Sequence, residues 1–137
     1  MGNANSVNRI NFKDMQYAIA SNIVIINTLD INRQDCLIKN TLKPDEEIAT
    51  INDIIKRNTR QKIIIYGENS SDNSIVKKYY QLYNLGFRNI YIYMGGLFEW
   101  LLLQDIYGSD EFPTTSEIID ILKYRGDISD DLRSNLP

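Results

Sequence analysis

The sequence predicts an α/β fold in which a central, mostly parallel sheet is covered by helices on both faces. Three short apolar runs, Ile23–Ile26, Lys62–Tyr66 and Asn89–Tyr93, have the length of strands buried on both faces. Segments with apolar residues at helical spacing separate them. Strictly alternating helices and strands are built most simply as parallel crossovers. At 137 residues, 43% hydrophobic and 24% charged, the chain supports one core and an ordinary globular domain.

Taken in order, Phe12–Ala20 places Phe12, Met15, Tyr17 and Ile19 at mostly helical spacing and leads into the first apolar run. Asn27–Thr41 is polar and irregular, with the short apolar insert Cys36–Ile38. Pro44 followed by Asp45, Glu46 and Glu47 is a helix first turn, its acids complementing the dipole. Ile48, Ile51, Ile54 and Ile55 supply the apolar face of that helix, which should end near Arg60. After Tyr66 comes a small polar loop, Gly67–Asp72. The next helix carries Ile75, Tyr79, Leu82 and Tyr83 at i, i+4, i+7 and i+8, and Gly86 stops it. Gly95-Gly96 breaks the third strand ahead of a helix through Phe98, Leu101, Leu102 and Ile106. Past Gly108, Thr114-x-x-Glu117 reads as a capping box for a last short helix over Ile118–Leu122.

Composition excludes much chemistry. The chain has no His and a single Cys, Cys36. Triads that need an imidazole base, structural zinc sites and an intramolecular disulfide all fall away, and no metal or cofactor is expected. A reduced, intracellular setting follows. The net charge of -3 and the lack of an arginine-rich stripe argue against nucleic acid as a partner. No apolar run approaches a membrane span. The leader MGNANS fits M-G-x-x-x-[ST], so Gly2 is either a myristoylation site offering membrane attachment or part of a flexible polar leader, residues 1–9. A single acyl chain gives only reversible binding. From Gln104 onward eight acidic residues face three basic ones, so residues 108–137 form an acidic extension.

Function is best sought in the strand, loop and helix at the centre. A polar loop between a buried strand and a helix gathers backbone N–H groups at the positive end of the dipole, a nest suited to anions or a thiolate. The loop residues are Gly67, Glu68, Asn69, Ser70, Ser71 and Asp72. Ser70 and Ser71 have no basic partner and are poor nucleophiles. Asp72 reads as the N-cap of the following helix or as a loop-ordering residue. Tyr79, Tyr80, Tyr83, Tyr91 and Tyr93 offer either a stacking platform or ordinary packing, and the acidic chain favours packing. Trp100 reads as core.

The segment LGFRNIYIYMGGLFEW, Leu85 to Trp100, resembles the L-G-F-x-N-V-Y-x-L-x-G-G-x-x-x-W signature of the rhodanese-like domains. Leu85, Gly86, Phe87, Asn89, Tyr91, Gly95, Gly96 and Trp100 all match at the same spacing. The run IIIY with its six-residue loop is similar to the family's active-site element, and the resemblance covers about Ile10 to Ile106, giving a domain over 10–107. FEWLLLQDIYG is similar to the form in a giant-virus and protist branch of the family, which fits the abundance of Ile and Asn over Ala.

The resemblance also implies departures. The family's sulfur-carrying Cys falls on Gly67 and the basic residue that often closes its loop falls on Asp72. Its Asp and Arg pair falls on Asn27 and Leu29, and the His of its G-H-I segment on Leu37. Glu68 and Asp72 make the loop acidic, partly offset by Lys77 and Lys78. The expectation is a non-catalytic binding or regulatory module, with an unidentified protein or small ligand at the Gly67–Asp72 loop. One alternative is an atypical sulfurtransferase or thiol-redox protein using Cys36, which is otherwise a core filler beside Asp35. Another is a lipid-anchored structural or scaffold protein of a virus particle.

Overall fold

Isoleucine, stiff at its branched Cβ, dominates the strands, and the pleat turns successive side chains to opposite faces. The computed structural model describes residues 7–127. Four strands, β1 (Asn8–Ile10), β2 (Val24–Asn27), β3 (Ile63–Tyr66) and β4 (Ile90–Tyr93), form one sheet in the order β1-β4-β3-β2. Every pairing is parallel, with Ile64 facing both Ile25 and Tyr91. Helices α1 (Phe12–Ile19), α2 (Pro44–Arg57), α3 (Ser74–Leu85) and α4 (Gly96–Tyr107) make the crossovers.

All four residues of β3 are buried, and they divide between two cores. Ile64 and Tyr66 join Met15 and Ala18 of α1 and Leu97, Trp100 and Leu101 of α4. Ile63 and Ile65 join Ile51 and Ile54 of α2 and Ile75, Tyr79 and Leu82 of α3. Each such side chain contributes roughly 1.5–3 kcal/mol on leaving water. The sheet is therefore covered on both faces, as its continuous apolar runs require.

Several boundaries differ from the sequence reading. Asn8 and Arg9, assigned to the leader, lie in β1 with Ile10, a strand too short to carry a periodic signal. Ile48 and Tyr17 are exposed, because α2 and α1 each present a narrower apolar stripe than the spacing suggests. α2 ends at Arg57, three residues early, where Asn58 turns extended. Within the irregular stretch after β2 lies a single 3-10 turn, Ile31–Arg33. Gly2 and Ser6 fall outside the described residues.

The expected capping box and helix after Pro113 do not form. The Thr114 hydroxyl accepts from Gln104 Nε2 at 2.9 Å and donates to the Ser116 carbonyl, so it is not free to cap. Thr114 instead makes an antiparallel bridge to Ile38, and the chain runs on to one 3-10 turn, Ile121–Tyr124. Phe112 is wedged edge-on against Trp100 at 5.0 Å, and Trp100 Nε1 donates to the Pro113 carbonyl. Residues 108–127 thus pack back onto the α1/α4 face. No helix among the described residues is long and apolar enough to cross a membrane.

Candidate functional site

The C-terminal ends of parallel strands point their connecting loops to one edge of the sheet, where α/β proteins place their sites. Here the loop 67–72 leaves β3 between the end of β2 and the start of α4. Two carbonyls of the loop satisfy α4: Leu97 N–H donates to Gly67 O and Phe98 N–H to Glu68 O, both at 2.9 Å. Gly96 makes this approach possible. Its φ is +70°, and a Cβ there would lie 2.7 Å from Gly67 O and 2.9 Å from Asn69 N, both backbone atoms.

Three of the six loop amides, those of Glu68, Ser71 and Asp72, are already bonded within the chain. Glu68 N–H donates to Asp72 Oδ2 at 3.0 Å and Ser74 N–H to Asp72 Oδ1 at 2.9 Å. Ser71 N–H donates to Asn69 Oδ1 at 2.9 Å, and Asp72 N–H to the Asn69 carbonyl. The chain supplies its own acceptors. Asp72 stands one residue before the N-cap, Asn73, so its role is to order the loop rather than to cap α3 from the N-cap position. Its carboxylate overhangs Gly67: a Cβ at that residue would come within 2.6 Å of Asp72 Oδ2.

Glu68 turns outward and forms an ion pair with Arg33, which also donates to the Lys123 carbonyl at 2.8 Å. Asn69 is buried and donates to the Tyr124 carbonyl at 2.9 Å. Ser70 and Ser71 are exposed, and among the described residues no amine bonds to either. Lys78 does not offset the loop acids, because its ammonium is engaged by Glu47 of α2 at 2.7 Å. Above the loop lies a pocket of ≈ 420 Å³ lined by Asp30, Glu68, Asp72, Asp127 and Arg125 among others. Among the described residues Asp30, Asp72 and Asp127 have no ion-pair partner, and with Arg125 as the one guanidinium of the lining they give this pocket a field that repels anions. Among the described residues no group of three or more acidic or thiol side chains converges to hold a metal ion.

The other sequence candidates are structural. Asn27 is buried and exchanges hydrogen bonds with Gln34 while accepting from Leu29 N–H. Leu29 and Leu37 are buried in the apolar interior. Cys36 is fully buried in the α1/α4 core, and its thiol donates to the Ser116 carbonyl at 3.4 Å. Burial pushes this thiol up, hydrogen bonds from Ser116 and Thr114 oppose the rise, and Asp35 adds to it. A thiol held protonated and out of water is a poor nucleophile. Among the tyrosines, Tyr79 and Tyr93 are buried, Tyr79 stacks on Tyr83, and Tyr93 donates to Glu99, so they pack rather than form a platform. Sequence reasoning missed Arg33 and Tyr124, whose bonds to the loop and to each other's segments span 35 to 90 residues and leave no local pattern.

No curated protein matches the chain. Among solved structures, the rhodanese-like domain of an Anabaena sp. protein superposes with a TM-score of 0.55 at 19% identity, covering 88% of this chain and 87% of that one. A Saccharomyces cerevisiae protein described as a homolog of single-domain rhodanese and Cdc25 phosphatase catalytic domain gives a TM-score of 0.54 at 13% identity, with 84% and 91% covered. A structure described as a yeast protein tyrosine phosphatase of the rhodanese family gives 0.58 at 13% identity, with 87% and 97% covered. At these identities the likeness is one of fold. The sequence itself matches the rhodanese-like domain over residues 20–103, more than half of its length. That span holds β2 to β4 and the loop they position, and the chain belongs to the rhodanese-like domain family.

Proposed function

We propose that this domain is a binding or regulatory module that does not transfer sulfur, with Gly67 standing where the family carries its sulfur-carrying Cys. One observation carries the reading. The carboxylate of Asp72 overhangs Gly67 and accepts the Glu68 and Ser74 amides, placing a negative charge where an incoming anion would have to sit. Sulfurtransfer and phosphoryl transfer through such a loop both need a nucleophile at its start and donors for a developing negative charge. Here there is a hydrogen atom at the first place and a carboxylate at the second. The acidic pocket adds repulsion against thiosulfate and phosphate, so the occupant of this edge is a protein or small ligand with cationic or neutral polar groups.

The test is direct. Thiosulfate:cyanide sulfurtransfer and aryl phosphate hydrolysis are expected at the buffer background. Turnover that survives Cys36→Ser would sink the proposal. Turnover abolished by that substitution, with a persulfide found on Cys36 by mass spectrometry, would establish the thiol alternative instead, against which the burial of Cys36 counts. Membrane attachment through Gly2, in a cell or a virus particle, belongs to the same proposal as a means of placing the module. A myristoyl mass on Gly2 and vesicle co-flotation lost in Gly2→Ala are its expected signs.

A further inference from the structure

The chain after α4 is held in two very different ways. Residues 112–115 are pinned along their length: Trp100 Nε1 and Lys39 N–H donate to the Pro113 carbonyl, Thr115 N–H donates to Leu37 O, and Leu37 N–H donates to the Thr115 hydroxyl. Beyond Ser116 the attachment thins. Among the described residues, no backbone amide from Glu117 to Asp127 bonds to the body of the domain; those of Ile121, Lys123 and Arg125 stay within the segment itself. Ile119 and Leu122 are exposed, Ile118 and Ile121 are partly buried against the α1/α4 core, Lys123 pairs with Asp35 at 3.7 Å, and Tyr124 is the sole fully buried side chain of this stretch.

What lies beneath is the candidate site. The Tyr124 carbonyl receives Asn69 of the loop, the Lys123 carbonyl receives Arg33, and Gly126 passes so close to the loop that a Cβ on it would meet Ser71 Oγ at 3.0 Å. Arg125 and Asp127 form one wall of the acidic pocket. At the near end, the Ser116 carbonyl covers the Cys36 thiol and Ser116 Oγ donates to the Asp35 carbonyl. The anchor is itself imperfect. Among the described residues Tyr124 Oη is buried with no hydrogen-bond partner, a loss that water would restore on release.

We infer that residues 116–127 are a strap, held by the Tyr124 ring, by the partly buried Ile118 and Ile121 and by side-chain bonds from Asn69 and Arg33, that opens as a unit while the domain stays folded and so uncovers the Gly67–Asp72 loop and Cys36 together. Segments with few buried contacts and self-contained hydrogen bonds open below the free energy of global unfolding. A partner that captures the released strap, or inserts at the loop in its place, shifts this equilibrium, and the strap thereby gates the site.

Cys36, as the only thiol, reports the opening without a label being added. The experiment follows modification of Cys36 by Ellman's reagent in the full-length protein across urea concentrations below the unfolding transition. Wild type should be modified with a urea dependence less than half that of global unfolding. Tyr124→Ala should accelerate modification at least tenfold and Asn69→Ala about threefold, each with faster amide exchange at Ser71 and Asp72. Ile54→Ala, which weakens the opposite core, serves as the stability-matched control and should accelerate modification only near its own transition. The strap is overturned if wild-type modification follows the global urea slope, or if Ile54→Ala matches Tyr124→Ala at equal stability. Should Tyr124→Ala not fold, the wild-type slope and Asn69→Ala decide alone.

Discussion

Replacing Gly67 by Ala tests the feature on which the functional reading depends. The new Cβ would lie 2.6 Å from Asp72 Oδ2, 3.0 Å from its Cγ and 3.1 Å from its Cβ, so the carboxylate must swing aside. The steric cost is small because the obstacle is a side chain. The larger cost is the release of the Glu68 and Ser74 amides, bonded at 3.0 and 2.9 Å. Hydrogen bonds to charged acceptors contribute about 1.5–3 kcal/mol when sheltered, and solvent at this half-exposed carboxylate reduces that to about 1 kcal/mol each. Gly67 does not have a positive φ, so Ala fits the backbone and recovers about 0.5 kcal/mol from the stiffer unfolded chain. The net loss is about 1.5 kcal/mol, or about 5 °C in Tm. In an Asp72→Ala background the carboxylate and its bonds are already gone, only the Cβ remains at 3.1 Å and needs a shift of a few tenths of an ångström, and Gly67→Ala should stabilise by up to about 0.5 kcal/mol. Urea melts followed by the single buried Trp100 measure all four corners of this cycle. The expected coupling is about 2 kcal/mol, and additivity within about 0.5 kcal/mol would refute a carboxylate seated over Gly67.

Three further outcomes follow from other contacts. Gly67→Cys, made in Cys36→Ser, should yield a thiol titrating above the ordinary cysteine range by thiolate absorbance, because the Asp72 carboxylate beside it disfavours the anion; a value below that range would contradict the geometry. Tyr66→Phe removes the hydroxyl that accepts from Ile38 N–H at 3.1 Å and pairs with Thr41 at 2.8 Å, and should cost about 1–3 kcal/mol at neutral pH. Burial holds the Tyr66 phenol well above its ordinary range, so its contribution is complete below about pH 10 and declines as the unfolded state ionises above it. The stability gap between wild type and Tyr66→Phe should therefore narrow above pH 10, and a gap that widened there would reverse the assignment. Lys78→Met leaves Glu47 unpaired and three-quarters or more out of water, with an expected loss of about 1–2 kcal/mol that Glu47→Gln partly restores in the double variant.

Where the sequence was legible, the reason is that local pattern and tertiary role coincide. IIIY is apolar at every position because β3 is covered on both faces, and Ile75, Tyr79 and Leu82 recur at helical spacing because α3 buries one stripe. Gly86 ends that helix at φ +115°, a conformation few other residues adopt. The same reasoning failed after Gly108, where Thr114-x-x-Glu117 has the letters of a capping box. The hydroxyl that would cap is bonded to Gln104 and Ser116, and such competition is invisible without the fold. The candidate site was half legible. Its loop and its acidity could be read from Gly67 to Asp72, whereas the fates of its amides depend on how Asn69 and Asp72 fold back. Arg33 and Tyr124 come from segments with no periodic signal at all.

The geometry around Gly96 bears on why a loop of this kind can change its chemistry without changing its path. Gly96 meets three backbone atoms of the loop, Gly67 O, Asn69 N and Asn69 Cα, at 2.7–3.0 Å from a notional Cβ, so any other residue there would drive the two backbones apart. The adjoining amides of Leu97 and Phe98 then bind Gly67 O and Glu68 O. Neither contact involves the side chain at position 67, nor an anion in the loop. The path of the loop is thus imposed by the first turn of α4, while what the loop presents is set separately by residues 67 to 72. An enzyme active site and a self-bonded loop can share that path. The Gly95-Gly96 match and the particular residues of the Gly67–Asp72 loop are therefore not in conflict: the first hold the path of the loop whatever side chains the second present.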